Sequence, residues 1–171
     1  MTLSRAQQLL CLVLFAPLSV CFFSSFFFFP RVFPLSASFQ VGYNSGVLNV
    51  PQSTIVASLH LTTLQWSIAV AIFCIGGLLG SMSGGKAADH IGRKNFLIAN
   101  NVAFIAGGLC ESLAGGIALL SLGRLAIGIG CGGATVVVPM YLGEIAPANL
   151  RGSLGTMNQF AMVIGILVAT C

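Results

Sequence analysis

The 171 residues include seven Lys or Arg and three Asp or Glu, so 6 % are charged against 57 % hydrophobic, with a formal net charge of +4. A soluble domain carries about a quarter charged residues, and so few charges cannot coat a soluble core; the mean hydropathy of +1.01 defines an all-α polytopic membrane protein. The cations stand singly or in one short stretch without interleaved aromatics, which excludes nucleic acid as a partner and leaves the lipid bilayer.

Two His and three acids assemble no nucleophile and base, so no enzyme is expected. Cys11, Cys21, Cys74, Cys110, Cys131 and Cys171 show no CxxC or Cys/His ligand spacing and read as small hydrophobes. No metal and no cofactor is expected. At ~20 apolar residues per spanning helix, the chain has room for about five spans.

Residues 1–34 form an atypical apolar N-terminal segment. Arg5 precedes an apolar run from Leu9 to Phe29, like the charged and hydrophobic regions of a signal sequence, with no A-x-A-like cleavage site after it. Pro30 and Pro34 flank Arg31 and oppose one continuous helix, so the segment is signal-like or part of the first helix. Leu35 to Val50 would cover only ~24 Å, and needs the Phe-rich run to complete a crossing. Its Gln40, Asn44 and Ser45, with Gly42 and Gly46, suit a helix facing protein or a cavity.

Residues 51–65 lack fixed charge and are expected to form an external loop. A second span, Trp66 to Ser83, puts Trp66 at headgroup level and aligns Gly76, Gly80 and Gly84 on one face for a neighbouring helix. A loop with Lys86, Asp89, Arg93 and Lys94 follows, then a third span, Phe96 to Leu113, with Glu111 near its end. The fourth, Ile117 to Leu142, carries Arg124 ~9 Å from its start. A charge there is paired or functional, or snorkels to the interface, and Glu111 is one candidate partner. Pro139 to Pro147 closes this span, and a fifth runs from Ser153 to Cys171. Both charged loops, 84–94 and 143–152, are cytoplasmic by the positive-inside rule.

The spacing Gly85-x-x-x-Asp89-His90-x-Gly92-Arg93-Lys94 resembles the major facilitator signature G-x-x-x-D-R-x-G-R-R, with His90 in place of an arginine. Gly123-Arg124-Leu125, Pro139 to Pro147 with Leu150-Arg151-Gly152, Phe39 to Gly46, and Gly155 to Gln159 resemble the sugar porters, and specifically the facilitative glucose transporters. Val41 stands where that family usually has phenylalanine. The resemblance implies twelve spans in two six-helix halves, of which residues 35–171 are an incomplete N-terminal bundle. A hexose substrate, a C-terminal helical bundle as partner and a plasma-membrane location are implied with it.

Asp89 and the Gly92-Arg93-Lys94 turn share a membrane face with Glu144 and Arg151, so these charges can pair there. In the family such residues latch one conformation, which implies a latch of Asp89, Arg93, Lys94, Glu144 and Arg151. Gln159 lies ~12 Å along the fifth span from Arg151, close to mid-membrane, and matches the family's sugar-contacting glutamine. Met162 and Ile166 share its face, and Asn44 and Ser45 complete the candidate substrate-binding set. Proton-coupled relatives carry an aspartate at Asn44, and an amide cannot take up a proton, which points to a uniporter. A proton-coupled hexose or polyol symporter, and a truncated membrane fragment that does not transport, are the alternatives.

Overall fold

The computed structural model describes residues 33–47, 52, 56, 62–114 and 116–170. The segment assigned to residues 1–34 lies, except for its last two residues, outside them, as does most of the expected external loop. Five helices follow in order: α1 (Phe33–Gly46), α2 (Thr63–Ile91), α3 (Arg93–Ser112), α4 (Ile117–Ile145) and α5 (Arg151–Thr170). No strand occurs among the described residues. α2, α4 and α5 are long and apolar enough to cross a bilayer. α1 has only 14 residues, and α3 is interrupted by Asn95, Asn100, Asn101 and Glu111.

Each boundary has a local cause. Pro34 occupies the first turn of α1, where its missing N–H has no intrahelical acceptor to lose. Before α2 the Thr62 side chain accepts from the Gln65 N–H, and the Gln65 side chain accepts from the Thr62 N–H at 2.9 Å, a reciprocal cap on two orphan donors. α2 then runs on through Lys86, Asp89 and His90 until Gly92, whose φ of +92° is a conformation side chains disfavour. The charged stretch is therefore the last turns of a helix and a one-residue joint, not the expected loop. Twenty-nine residues make α2 ~43 Å long, so its charged end extends past a ~30 Å hydrocarbon layer.

α4 ends at Ile145, inside the expected closing segment 139–147, and carries Pro139 in its interior. An interior proline costs about 3 kcal/mol, but the same turns are held by Val137, Val138 and Leu142, all of them buried. Trp66, expected at headgroup level, is only 8 % exposed and packs with Ala69 and Leu120, covered by Val47, so protein surrounds its indole near the start of α2.

α4 is the centre of the assembly: it packs most extensively on α2, then on α3 and α1, while α5 rests mainly on α1. Small residues set these distances. Gly76, Gly80 and Gly84 of α2 meet Gly128, Ile129, Gly132 and Gly133 of α4 so closely that a methyl on Gly80 would overlap the Ile129 carbonyl, and one on Gly132 the Gly77 carbonyl. On the other side of α4, Gly123 faces Gly107 of α3, and the Asn100 amide of α3 donates to the Gly130 carbonyl at 2.9 Å. The outward faces stay apolar and open, with Leu78, Met82 and Phe160 each at least 60 % exposed.

Substituting Gly132→Val should destabilise the bundle by ~1–3 kcal/mol or more through overpacking. Gly143→Ala, at a helical site with open space around it, should be neutral or stabilising by up to ~1 kcal/mol. Unfolding of the two variants in detergent, followed by circular dichroism against denaturant, checks the contrast.

Candidate functional site

Three polar groupings interrupt the apolar bundle. The first sits at the α2–α3 joint. Because Gly92 turns the chain within one residue, Arg93 heads α3 yet stays four residues from Asp89, and its Nη2 lies 2.9 Å from Asp89 Oδ1. The same guanidinium donates through Nε to Glu144 Oε1 at 3.0 Å, tying the joint to the end of α4. Asp89 and Glu144 are about half exposed, so the two pairs contribute ~0–1 kcal/mol each to stability. The expected grouping is corrected in one respect: Arg93 is its hub, and the exposed Arg151 forms no ion pair among the described residues. A turn at 146–150, closed by the Leu150 N–H to Pro147 carbonyl bond, separates Glu144 from Arg151 at the head of α5. Lys94 is exposed beside Arg93.

The second grouping is buried. Arg124 of α4, 3 % exposed, places Nε 2.9 Å from Glu111 Oε1 of α3. That N–H points off the line to the oxygen, so neither atom counts as hydrogen-bonded, while Nη2 donates to Glu111 Oε2 at 3.3 Å. Nη1 donates to the main-chain carbonyl of Asn44 on α1 at 3.4 Å, and the guanidinium lies 5.8 Å from the Phe73 ring centroid on α2. Gly123 makes the room, since a Cβ there would come within 2.7 Å of Glu111 Cγ. Of the two alternatives for Arg124, pairing holds and snorkelling does not. It meets the Asn44 backbone, and the Asn44 side chain turns instead to its own helix, donating to the Gln40 carbonyl at 2.8 Å.

The third grouping is the α1–α5 seam. Gly42 lies against the backbone of Met162, Gly46 against Ile166 and Ala169, and Gly165 against Phe39 and Tyr43. Ser38 of α1 donates its hydroxyl to the Asn158 side-chain oxygen of α5. Met162 is half-buried on this contact, Ile166 is 38 % exposed, and Gln159 is exposed on the adjoining edge of α5. Ser45 is exposed, and its hydroxyl donates to the Val41 carbonyl at 2.9 Å. Ser38 and Asn158 had been given no role from the sequence, although a hydroxyl and an amide inside apolar runs are a usable sign of interhelical bonding. Gln40, 3 % exposed, keeps its Oε1 without a hydrogen-bond partner among the described residues.

A bundle of apolar helices held by small-residue faces, with a charged joint at one end and an intramembrane Arg–Glu pair, has the features of a polytopic transporter of the major facilitator class. The family model described as "Sugar (and other) transporter" matches residues 31–171, and the chain belongs to that family. It is 44 % identical over 162 residues to solute carrier family 2, facilitated glucose transporter member 3 of Ovis aries, covering 82 % of this chain and 33 % of the relative. Against the Homo sapiens member 3 the identity is 43 % over 150 residues, 77 % of this chain and 30 % of the relative. Member 14 of Homo sapiens is 46 % identical over 150 residues, 77 % of this chain and 29 % of the relative. The chain thus spans about a third of the length of the curated relatives it matches. The five helices are those of an all-α, partial N-terminal bundle of a sugar porter.

Removing one partner of the buried pair, by Glu111→Ala or Arg124→Ala, should destabilise the bundle by ~3–5 kcal/mol. The double replacement Glu111→Met with Arg124→Met should recover most of that loss. Unfolding of the single and double variants in detergent gives the cycle, and Arg93→Ala, on the exposed cluster, should stay within ~1 kcal/mol of the parent.

Proposed function

We propose that the chain supplies part of a hexose facilitator, which moves a glucose-type sugar down its gradient by alternating access between two helical bundles. Residues 35–171 provide helices of the first bundle, and a C-terminal bundle is the partner that closes the pathway. The observation that supports this most directly is the α1–α5 seam. Its close backbone contacts half-bury Met162 and leave Gln159 and Ile166 of α5, with Ser45 of α1, exposed.

Gln159 lies ~12 Å along α5 from Arg151, near the middle of a ~30 Å core, and midplane sites between repeats are where transporters bind substrate. Its amide donates and accepts, as a sugar hydroxyl requires, while Met162 and Ile166 form an apolar wall for the sugar ring. Asn44 favours uniport over proton symport. Its amide cannot ionise, and the charge of Arg124 is already met by Glu111. That the matched relatives are facilitated glucose transporters supports the same choice.

Arg93, bound to Asp89 and Glu144, acts as a latch that holds one of the two bundle arrangements and opens in the other. Lys94 and Arg151 add positive charge at that end, which the positive-inside rule assigns to the cytoplasm, in a plasma membrane. Arg93 is placed for this because surface pairs of low stability break and reform readily.

Grafting residues 31–171 in place of the matching third of the member 3 relative, in cells lacking hexose uptake, tests the proposal. Hexose uptake that runs down the gradient without alkalinising the medium is expected; absent uptake, or proton movement in step with sugar, would overturn it. In the same chimera Gln159→Ala should raise the hexose KM by about three- to tenfold, the loss of one neutral hydrogen bond, with kcat changing less.

A further inference from the structure

We infer that Glu111 is a proton-binding site, and that its protonation releases Arg124 and loosens the joint of α1, α3 and α4 at the Trp66 end of the bundle. The carboxylate takes one proton from water, becoming a neutral carboxylic acid, and the Arg124 guanidinium then loses the only charge that neutralises it among the described residues.

The geometry concentrates the consequence. Arg124 touches four helices: its own, Glu111 of α3 at 2.9 Å, the Asn44 carbonyl of α1 and the Phe73 ring of α2. Glu111 stands in the last turn of α3, close to the end where α3 hands over to α4, so a proton has a short way to travel from the aqueous boundary. The side chains facing the pair from each element are few. α4 contributes Arg124 itself and, two turns on, the Cys131 thiol, which feels both charges. α1 contributes the Asn44 carbonyl, and α2 only the Phe73 ring. Glu111 is the one carboxylate at this site among the described residues, because Asp89 and Glu144 belong to the Arg93 cluster.

A buried acid held only by one cation behaves as a switch, since neutralising it leaves that cation buried and unpaired, which is strongly unfavourable in a low-dielectric setting. The inference is independent of whether the chain carries sugar. It concerns the packing of this bundle, and is distinct from proton coupling to a substrate, against which Asn44 argues above.

The chain carries its own probe. Trp66 is the single tryptophan, buried with Leu120 and Val47; Leu120 is one helical turn from Arg124, and Val47 lies three residues past Asn44. With the 171-residue chain in nanodiscs, acidification should shift Trp66 emission to the red along a single reversible titration. Glu111→Gln should abolish the pH dependence and hold the emission at the acid end, and Glu111→Asp should restore a transition. Infrared difference spectra of the unsubstituted chain give a second readout that does not depend on how well Glu111→Gln assembles. With only three acids present, a buried carboxylic C=O band should grow along the same titration as the emission shift. Emission independent of pH, a carboxyl band that does not track it, or the same response persisting in Glu111→Gln, which would trace it to another group such as His60, would each overturn the inference.

Discussion

Backbone-to-backbone approach along α4 is the constraint on which the rest of this structure depends. Within a bilayer the lipid tails are as apolar as leucine, so burying side chains between helices gains little, and close van der Waals contact has to hold them. Gly76, Gly80 and Gly84 on one side, and Gly128, Gly132 and Gly133 on the other, remove the side chains that would keep α2 and α4 apart. Gly107 and Gly123 do the same for α3. Once α4 is fixed in this way, the positions of Arg124, Asn100 and Glu144 follow, because each projects from a helix that cannot slide without a backbone collision.

Much of this was legible in the sequence. A glycine every fourth residue in an apolar run has one strong physical meaning, and the α2 face was read from it directly. The pairing of Glu111 with Arg124 was readable as a possibility, since a lone arginine inside a span needs a partner; only the packing decided it against snorkelling. What could not be read was where helices stop. Charged residues at 86–94 look like a loop, yet helical propensity is indifferent to that charge, and α2 ends only where Gly92 forces it to. Pro139 opens the segment that closes α4, and the helix runs on past it to Ile145 because the packing of Val137, Val138 and Leu142 outweighs the lost backbone bond. The burial of Trp66 against Ala69 and Leu120 was not legible either, because packing decides which neighbours cover an indole near the start of a span.

The candidate polar residues divide by what their hydrogen bonds already do. Asn44 and Ser45 direct their donors to carbonyls of their own helix, and Ser38 engages Asn158 across the seam. Gln159, by contrast, stands at an open edge. An amide already bonded within the bundle serves packing, whereas one at an open edge can exchange partners, and that difference separates scaffold from contact surface more sharply than residue type does. The sequence named Asn44, Ser45 and Gln159 as polar groups at plausible depths and passed over Ser38 and Asn158; it could not assign scaffold and contact roles, because the distinction lies in the direction of each donor.

Gly92 carries a consequence of a different kind. Apart from its own chain neighbours, no atom lies within 4 Å of the place where its side chain would be, so crowding does not constrain the position. Its constraint is torsional: φ of +92° and ψ of 140° aim the whole of α3, and with it the reach from Asp89 through Arg93 to Glu144. The heading of a twenty-residue helix is thereby stored in a single dihedral pair at a residue with open space where a side chain would stand, and a substitution there would misdirect everything downstream of it.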